Sequence, residues 1–211
     1  MEKYFDELLR RYPVLQSSIP AIREFTVALI ELYRNGGTFF VGGNGGSGAD
    51  AEHICGELLK GFCRKRPLDK AALEKLKKCG EADGDNIGCQ LQNGLRAISL
   101  LAHPALTTAF GNDVDPDLAF AQQLWALGRP GDMVLGISTG GNASNIRKAF
   151  IAARAKGLKT VLLTGNRHGI CEQYADIVIA VDEKETYRIQ ELHLPVYHTI
   201  CLAVEAAFFT E

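Results

Sequence analysis

Short apolar runs alternate along the chain with longer segments whose apolar residues recur every three or four positions. The first pattern predicts buried strands and the second predicts amphipathic helices. The apolar runs lie at 38–43, 97–102, 132–138, 159–165 and 175–181. Buried strands separated by helices indicate a parallel sheet with helices on both faces. We therefore expect an α/β fold, a doubly wound five-stranded parallel sheet of the flavodoxin type.

The helical pattern also defines the domain organisation. Helices are predicted at 3–11, 19–34, 47–62, 117–127, 143–156 and 187–209. We expect one domain over 1–211, with an N-terminal helical extension at 1–36. The segment 64–94 interrupts the alternation and is predicted to be an insertion with a helix at 70–78, capped by Asp69. Its seven basic residues either face a phosphate or, as we prefer, form a solvated face.

Composition narrows the range of partners. The 211 residues carry a formal net charge of −2 and are 46% hydrophobic, so neither nucleic acid nor an anionic membrane is an expected partner. The first thirteen residues are charged throughout, which predicts no secretory signal, and no apolar run is long enough to cross a bilayer. The six cysteines show no CxxC spacing. Reduced thiols in a cytoplasmic protein are therefore the expectation.

Two glycine-rich loops follow predicted strands and precede predicted helices. GGNGGSG (42–48) combines flexible backbone with a helix N-terminus, which suits an oxyanion; the alternative is a tight strand–helix turn. It matches neither a Walker A loop nor GxGxxG, so a nucleotide is not implied. GISTGGNAS (136–144) adds hydroxyl and amide groups that suit a phosphate monoester, the alternative being helix capping. Together the loops suggest a ligand with a phosphate at one end and hydroxyls at the other.

Several titratable residues accompany the loops. His53 and Glu57 are four residues apart and share a helix face, which suits zinc binding or proton transfer, although an isolated helical histidine is often structural. In the terminal helix, Gln190 and His198 are eight residues apart, about 12 Å along the axis. Pro195 between them either bends one helix or begins a second one. We interpret the remaining histidines as structural or as surface residues: His103 and His193 as structural, His168 as surface.

These motifs, in this order, resemble a known family. GNGGS with His53 and Glu57 behind it, the pair Asn112–Asp113, GISTxGN, and RIQE followed by His198 are similar to the sedoheptulose 7-phosphate isomerases, which are phosphoheptose isomerases of the sugar-isomerase (SIS) superfamily. The resemblance covers about 20–209 apart from the insertion. It implies a cytoplasmic homotetramer with active sites at subunit interfaces, converting sedoheptulose 7-phosphate to glycero-manno-heptose 7-phosphate.

The resemblance also implies roles for individual residues. Glu57 and His198 would transfer protons through an enediol, with Glu57 as base and His198 as acid or the reverse. Zinc, where the family holds it, would be bound by His53, Glu57, Gln190 and His198. Substrate contacts would come from Asn44, Gly45, Gly46, Ser47, Glu57, Asn112, Asp113 and Gln190, and the phosphate would lie on Ser138, Thr139 and Gly140.

The chain departs from the family at two places. Gly140 and Ala143 replace two serines of the usual phosphate loop, which removes two hydroxyls. The insertion at 64–94 could also cover the pocket. The alternative function is a non-catalytic SIS protein that binds a phosphosugar or a protein partner, of the type that associates with a replication initiator. Retention of Glu57, Gln190 and His198 argues against that alternative.

Overall fold

Five parallel strands form one sheet at the centre of the molecule. The structure is a computed structural model that describes residues 1–209, apart from the side chains of residues 81 and 82. The strands are β1 (Phe39–Gly43), β2 (Ala97–Ser99), β3 (Met133–Ile137), β4 (Lys159–Gly165) and β5 (Ile177–Val181). Their spatial order is β2-β1-β3-β4-β5, and every neighbouring pair is parallel. The predicted doubly wound, flavodoxin-like sheet is therefore confirmed.

Within residues 1–209, the sheet is accompanied by eight α-helices. They are α1 (Glu2–Arg11), α2 (Ile19–Arg34), α3 (Gly46–Leu59), α4 (Lys70–Gln90), α5 (Pro104–Asp113), α6 (Ala119–Leu127), α7 (Ser144–Ala155) and α8 (Thr186–Phe208). Short 3-10 turns lie at Pro13–Ser18, Pro116–Leu118 and Ile170–Tyr174. Within residues 1–209, no helix is long and apolar enough to span a membrane. The predicted single domain over 1–211 includes two final residues that lie outside the described part.

The two faces of the sheet bury separate cores. Phe39 and Val41 of β1 face a core shared with α1, α2, α3 and α8. Phe40, between them, faces the opposite core, where Leu124 of α6 and Phe150 of α7 are fully buried. This alternation follows from the period of two in a strand. Burial of each large side chain contributes about 1.5–3 kcal/mol, so both helical layers are held firmly against the sheet.

The two ends of the insertion are hydrogen-bonded to each other. An antiparallel bridge joins Pro67 to Gln92, and Asn93 N–H donates to the Arg66 carbonyl at 2.7 Å. Asp69 caps α4 as predicted, accepting from Ala72 N–H at 2.7 Å. Helical residues extend beyond the predicted 70–78 to Gln90, but the chain reverses between Lys77 and Gly84, so they do not form one straight helix.

The two halves of α4 fold against each other. Gly84 lies directly on the backbone of Leu76, and Gly88 lies on the Leu73 side chain. Lys77 pairs with Asp85 at 3.2 Å. Glycine lowers helix propensity, so the sequence pattern does not predict the second half of α4. In the structure, the small size of these glycines allows the close contact between the two halves.

Two other elements differ from prediction, whereas the long terminal helix predicted at 187–209 is confirmed. Strand β2 ends at Ser99 rather than at residue 102, and α5 was not predicted. None of the ten residues of α5, all of which the structure describes, is buried, so its sequence carries only a weak apolar pattern. Helix α8 runs unbroken through Pro195, which excludes a second helix beginning there.

Candidate active site

Both glycine-rich loops lie at the point where the sheet order reverses. Strands β1 and β3 are neighbours, and one leads to GGNGGSG while the other leads to GISTGGNAS. Ligands in doubly wound sheets bind in the crevice at the carboxyl ends of such strands. The loops are joined directly, because the side-chain amides of Asn44 and Asn145 exchange two hydrogen bonds of 3.0 and 2.8 Å. They therefore form one continuous surface.

The first loop owes its shape to glycine. Gly45, which precedes α3, has φ = +55° and ψ = −122°, a conformation that residues with a Cβ rarely adopt. At Gly46 a Cβ would lie 2.7 Å from Nε2 of Gln190, so the absence of a side chain lets the Gln190 amide rest on the loop. Ser47 is buried at the start of α3. The loop thus places Gln190 of α8 beside the N-terminus of α3.

The second loop is held from within and from the next strand. Gly141 N–H donates to the Ser138 carbonyl, and Gly165 N–H donates to the Thr139 carbonyl, both at 3.0 Å. Asn142 donates to the Gly140 carbonyl at 2.8 Å and accepts from Ile170 N–H. Ser138 is buried, while Thr139 and Gly140 are half-buried. Asn142 thus stabilises the loop itself.

The loop does not simply cap the following helix. Helix α7 has Ala143 as its N-cap, which makes no side-chain capping hydrogen bond, and the N–H of Ile146 in its first turn donates to the side chain of Asn145, just after the loop, at 3.0 Å. The capping alternative for this loop is therefore not realised. The arrangement leaves Thr139 and Gly140 at the surface of the crevice, where the resemblance predicts a phosphate.

The predicted acid–base residues come together between α3 and α8. Nε2 of His53 lies 3.3 Å from Oε1 of Glu57, whose Oε2 is 3.4 Å from Lys60 Nζ. The His198 ring of α8 lies 5.0 Å from the His53 ring, centre to centre, at an interplanar angle of 84°. The Glu57 side chain is 13% exposed and that of His53 is 42% exposed, so the group is partly desolvated yet accessible.

The environment of His198 favours a neutral ring. Burial lowers the pKa of His198, and the nearby His53 lowers it further, while the Glu57 carboxylate acts in the opposite direction. The Phe62 ring, 5.4 Å away, covers one side of the imidazole. Nε2 of His198 is buried and has no hydrogen-bond partner among the described residues. A buried nitrogen without a hydrogen-bond partner is a feature that a substrate or metal would satisfy.

Two residues that the sequence patterns did not single out complete the cluster. The Tyr197 hydroxyl lies 3.0 Å from Nδ1 of His53 and donates to Oδ1 of Asp50 at 3.2 Å. Burial is the main cause that raises the pKa of Asp50 and of Tyr197. Asp50 lies three residues before His53 and seven before Glu57, so its position on the same helix face was the available indication.

The four predicted zinc residues are placed in two groups. His53, Glu57 and His198 are close together, whereas Gln190 lies over Gly46. No cluster of three or more His, Cys, Asp or Glu side chains in the described chain has the arrangement of a metal site. The donor types nevertheless suit zinc, and the unpaired Nε2 of His198 fits a metal-binding nitrogen. Zinc binding stays a prediction.

Asn112 and Asp113 do not line the cavity beside the first glycine-rich loop. They are the last two residues of α5, both exposed, and the Asn112 amide donates to Asp113 at 2.9 Å. Helix α5 does border an open cavity of about 380 Å³ next to Asn44 and Gly45, but it does so through Pro104, Thr107 and Thr108. Substrate contact by Asn112 and Asp113 stays a prediction.

The other histidines have structural or surface roles, as predicted. His193 is fully buried, its Nε2 lies 3.3 Å from the Thr164 carbonyl, and burial lowers its pKa to about 4. His103 pairs with Gln123 at 3.0 Å. The His168 side chain is 80% exposed.

Comparison with known proteins identifies the family. Residues 102–209 match the family model of the SIS domain. The chain is 36% identical over 197 residues to the phosphoheptose isomerase of Roseiflexus sp. strain RS-1, covering 93% of this chain and 87% of that protein. It is 39% identical over 188 residues to the phosphoheptose isomerase of Aneurinibacillus thermoaerophilus, covering 89% and 82%.

Solved structures agree with these sequence relatives. The phosphoheptose isomerases of Neisseria gonorrhoeae and Francisella tularensis each superpose with a TM-score of 0.74 at 27% identity, covering 97% of this chain and 96% of theirs. A solved structure from Listeria monocytogenes shares the fold, with a TM-score of 0.54 at 15% identity over 97% of this chain and 86% of that one. The chain therefore belongs to the phosphoheptose isomerase family of SIS-domain proteins.

Proposed function

We propose that the protein interconverts sedoheptulose 7-phosphate and glycero-manno-heptose 7-phosphate. The observation that carries the proposal is the meeting of Glu57 with His53 and His198, on two helices that also meet at the glycine-rich loop. The curated relatives, which cover most of this chain, are named phosphoheptose isomerases. The non-catalytic alternative is not favoured, because both the acid–base pair and the loops are retained.

The reaction requires one proton to move between neighbouring carbons. The Glu57 carboxylate removes the proton next to the carbonyl and returns it to the adjacent carbon of the enediol. His198, whose lowered pKa favours the neutral ring, hydrogen-bonds the oxygen on which charge develops. The reverse assignment, with His198 as the base and Glu57 as the acid, uses the same two residues. Ser138, Thr139 and Gly140 hold the phosphate, while Asn44, Gly45, Gly46 and Gln190 hold the sugar.

The separation of these groups favours a site shared between copies. Glu57 lies eleven residues after Gly46 on α3, which places it about 16 Å further along the helix axis. A heptose phosphate lying in the loops of one copy is better placed to reach Glu57 and His198 of a neighbouring copy. We propose a cytoplasmic homotetramer, with Asn112 and Asp113 of one copy completing the pocket of another.

Zinc is part of the proposal as a bound cofactor. His53, Glu57, Gln190 and His198 would hold it, and when bound it would polarise the substrate carbonyl. The donor types and the unpaired nitrogen of His198 support His53, Glu57 and His198 as ligands, whereas Gln190 lies over Gly46 and joins the set through the resemblance alone.

Turnover by purified protein is the direct test. Sedoheptulose 7-phosphate and shorter ketose phosphates are incubated with the protein, with and without added zinc, and the aldose product is measured. Glu57→Gln and His198→Asn are each expected to lower kcat by about 10²–10⁴-fold, with the elution volume on size exclusion unchanged. His168→Gln, at an exposed histidine, is the control and should keep wild-type turnover. Retained turnover in the Glu57→Gln/His198→Asn double variant would show that the site is misassigned.

A further inference from the structure

A continuous chain of close polar contacts crosses from α3 to α8 and back. It begins at Asp50, passes through the Tyr197 hydroxyl to Nδ1 of His53, and continues from Nε2 of His53 to Glu57. The three separations are 3.2, 3.0 and 3.3 Å. Tyr197 is only 2% exposed, so this contact lies within the packed interface of the two helices.

The donor and acceptor properties of Asp50, Tyr197 and His53 determine where each proton in these contacts lies. An ionised carboxylate only accepts hydrogen bonds, so the single proton of the Tyr197 hydroxyl points to Asp50. The Tyr197 oxygen keeps lone pairs, and Nδ1 of His53 lies within reach of them. Nδ1 therefore carries the proton of the neutral ring, and Nε2 presents a lone pair toward the Glu57 carboxylate.

We propose that Tyr197, oriented by Asp50, is a positioning residue that fixes His53 as the Nδ1–H tautomer. Two acceptors, Nε2 of His53 and Oε1 of Glu57, then face each other at 3.3 Å, an arrangement that a bound cation would satisfy. Groups behind a metal-binding or catalytic histidine set its tautomer and ring orientation in this way. The inference deepens the proposed function, on which its catalytic consequence rests.

Nitrogen NMR of the histidine side chains tests the tautomer without any reference to activity. In wild-type protein at alkaline pH, neutral His53 is expected to carry its proton on Nδ1, with the signal assigned by its loss in His53→Gln. In Tyr197→Phe the acceptor is gone, and the proton is expected to move to Nε2, where Glu57 accepts it. Tyr33→Phe is the matched control, because it removes another buried hydroxyl, one that has no hydrogen-bond partner among the described residues.

Asp50 provides a second, independent variant. Asp50→Asn keeps an oxygen that accepts from Tyr197 and should keep the wild-type tautomer, whereas Asp50→Ala frees the Tyr197 proton to point at His53. An Nε2–H tautomer in the wild-type protein would overturn the proposal. An unchanged His53 spectrum in both Tyr197→Phe and Asp50→Ala would overturn it as well.

Kinetics separate positioning from substrate contact. Tyr197→Phe is expected to lower kcat for sedoheptulose 7-phosphate by about 10–100-fold and to leave KM within about twofold, because Tyr197 reaches the reaction only through His53. A raised KM with unchanged kcat would assign Tyr197 to the substrate instead. If wild-type protein does not isomerise this sugar, the proposed function fails, while the NMR comparison still decides the tautomer.

Discussion

The ion pair between Arg66 and Glu205 gives the sharpest prediction about stability. Their side chains are 0% and 1% exposed. Nε and Nη2 of Arg66 donate to Oε1 of Glu205 at 3.0 and 2.9 Å. The guanidinium also donates to the carbonyl groups of Leu58 at 2.7 Å and Glu57 at 3.1 Å. Arg66→Met would remove all four bonds while keeping most of the side-chain volume.

The contacts that Glu205 keeps in Arg66→Met determine the expected loss in the free energy of unfolding. Glu205 keeps two hydrogen bonds, from Phe62 N–H at 2.8 Å and Cys63 N–H at 2.9 Å, but its buried charge loses its only close cation among the described residues. Breaking a buried pair by removing one partner costs about 3–5 kcal/mol. Since domains are stable by only about 5–15 kcal/mol, this loss is large.

Urea unfolding provides the measurement. The free energy of unfolding of Arg66→Met should fall by about 3–5 kcal/mol, and that of the exposed-site control Arg129→Met should change by less than about 0.5 kcal/mol. In the double variant Arg66→Met/Glu205→Met no charge is stranded, although Phe62 and Cys63 lose their acceptor. Its loss should therefore be smaller than the sum of the two single losses. Strictly additive losses, or a loss below about 1 kcal/mol for Arg66→Met, would refute the reasoning.

The Arg66–Glu205 pair should also affect how the free energy of unfolding depends on pH in the acid range. Burial opposes ionisation of Glu205, but hydrogen bonds from Cys63 and Phe62 N–H and from Arg66 outweigh it and hold the pKa of the carboxyl below its usual value. A lowered folded-state pKa contributes stability that is present above the unfolded value of about 4.3 and is lost as the pH falls through the folded value. Without Arg66 the folded-state pKa of Glu205 rises toward or above the unfolded value, so the acid-induced loss from this carboxyl should shrink or reverse, as urea midpoints across a pH series would record.

Two further predictions concern the phosphate loop and a buried histidine. Gly140→Ser has open space around its new Cβ, and its added hydroxyl should lower the KM for sedoheptulose 7-phosphate by about 2–10-fold. Gly141→Ser is the control: at φ = +65° and 3.0 Å from Gly169, it should instead lower the melting temperature. An unchanged KM in a well-folded Gly140→Ser would count against the predicted phosphate position. Burial lowers the pKa of His193 to about 4, so below the unfolded value of about 6.5 the unfolded chain binds the extra proton, and stability should fall by on the order of 3 kcal/mol as pH drops from about 6.5 to about 4. Urea unfolding across this range should show a shallower slope for His193→Leu, and equal slopes would contradict the assignment.

Much of the fold was predictable from local patterns. The continuous apolar run FFVGG could only be a buried strand, and the polar glycine loop after it had to lie at the strand's carboxyl end. The spacing of His53 and Glu57 fixed their shared helix face. The pairing of β1 with β3, which joins the two loops into one crevice, is a long-range property. From the sequence, the pairing of β1 with β3 could be expected only because the flavodoxin-type fold class has it.

The charged core was not predictable, because local sequence does not show which charges find partners. The sequence favours a solvated face for the seven basic residues of the insertion, yet Arg66 is buried. Its partner Glu205 is 139 residues away in the chain. Tyr197 was missed for a related reason: a tyrosine in an apolar helix looks like core packing, and only its hydroxyl contact with His53 distinguishes it. Both cases depend on how α3 meets α8.

That meeting follows a single register. Helices α3 and α8 run side by side in the same direction: Gln190 lies at Gly46, Tyr197 at His53, and Glu205 at Phe62 just beyond α3. The Glu205–Arg66 pair therefore fixes one end of this register, while Gln190 on the glycine loop fixes the other. Because Arg66 also donates to the Glu57 carbonyl, the insertion holds the candidate base in place from behind. A loss of this pair should for that reason impair turnover even at temperatures where the variant remains folded.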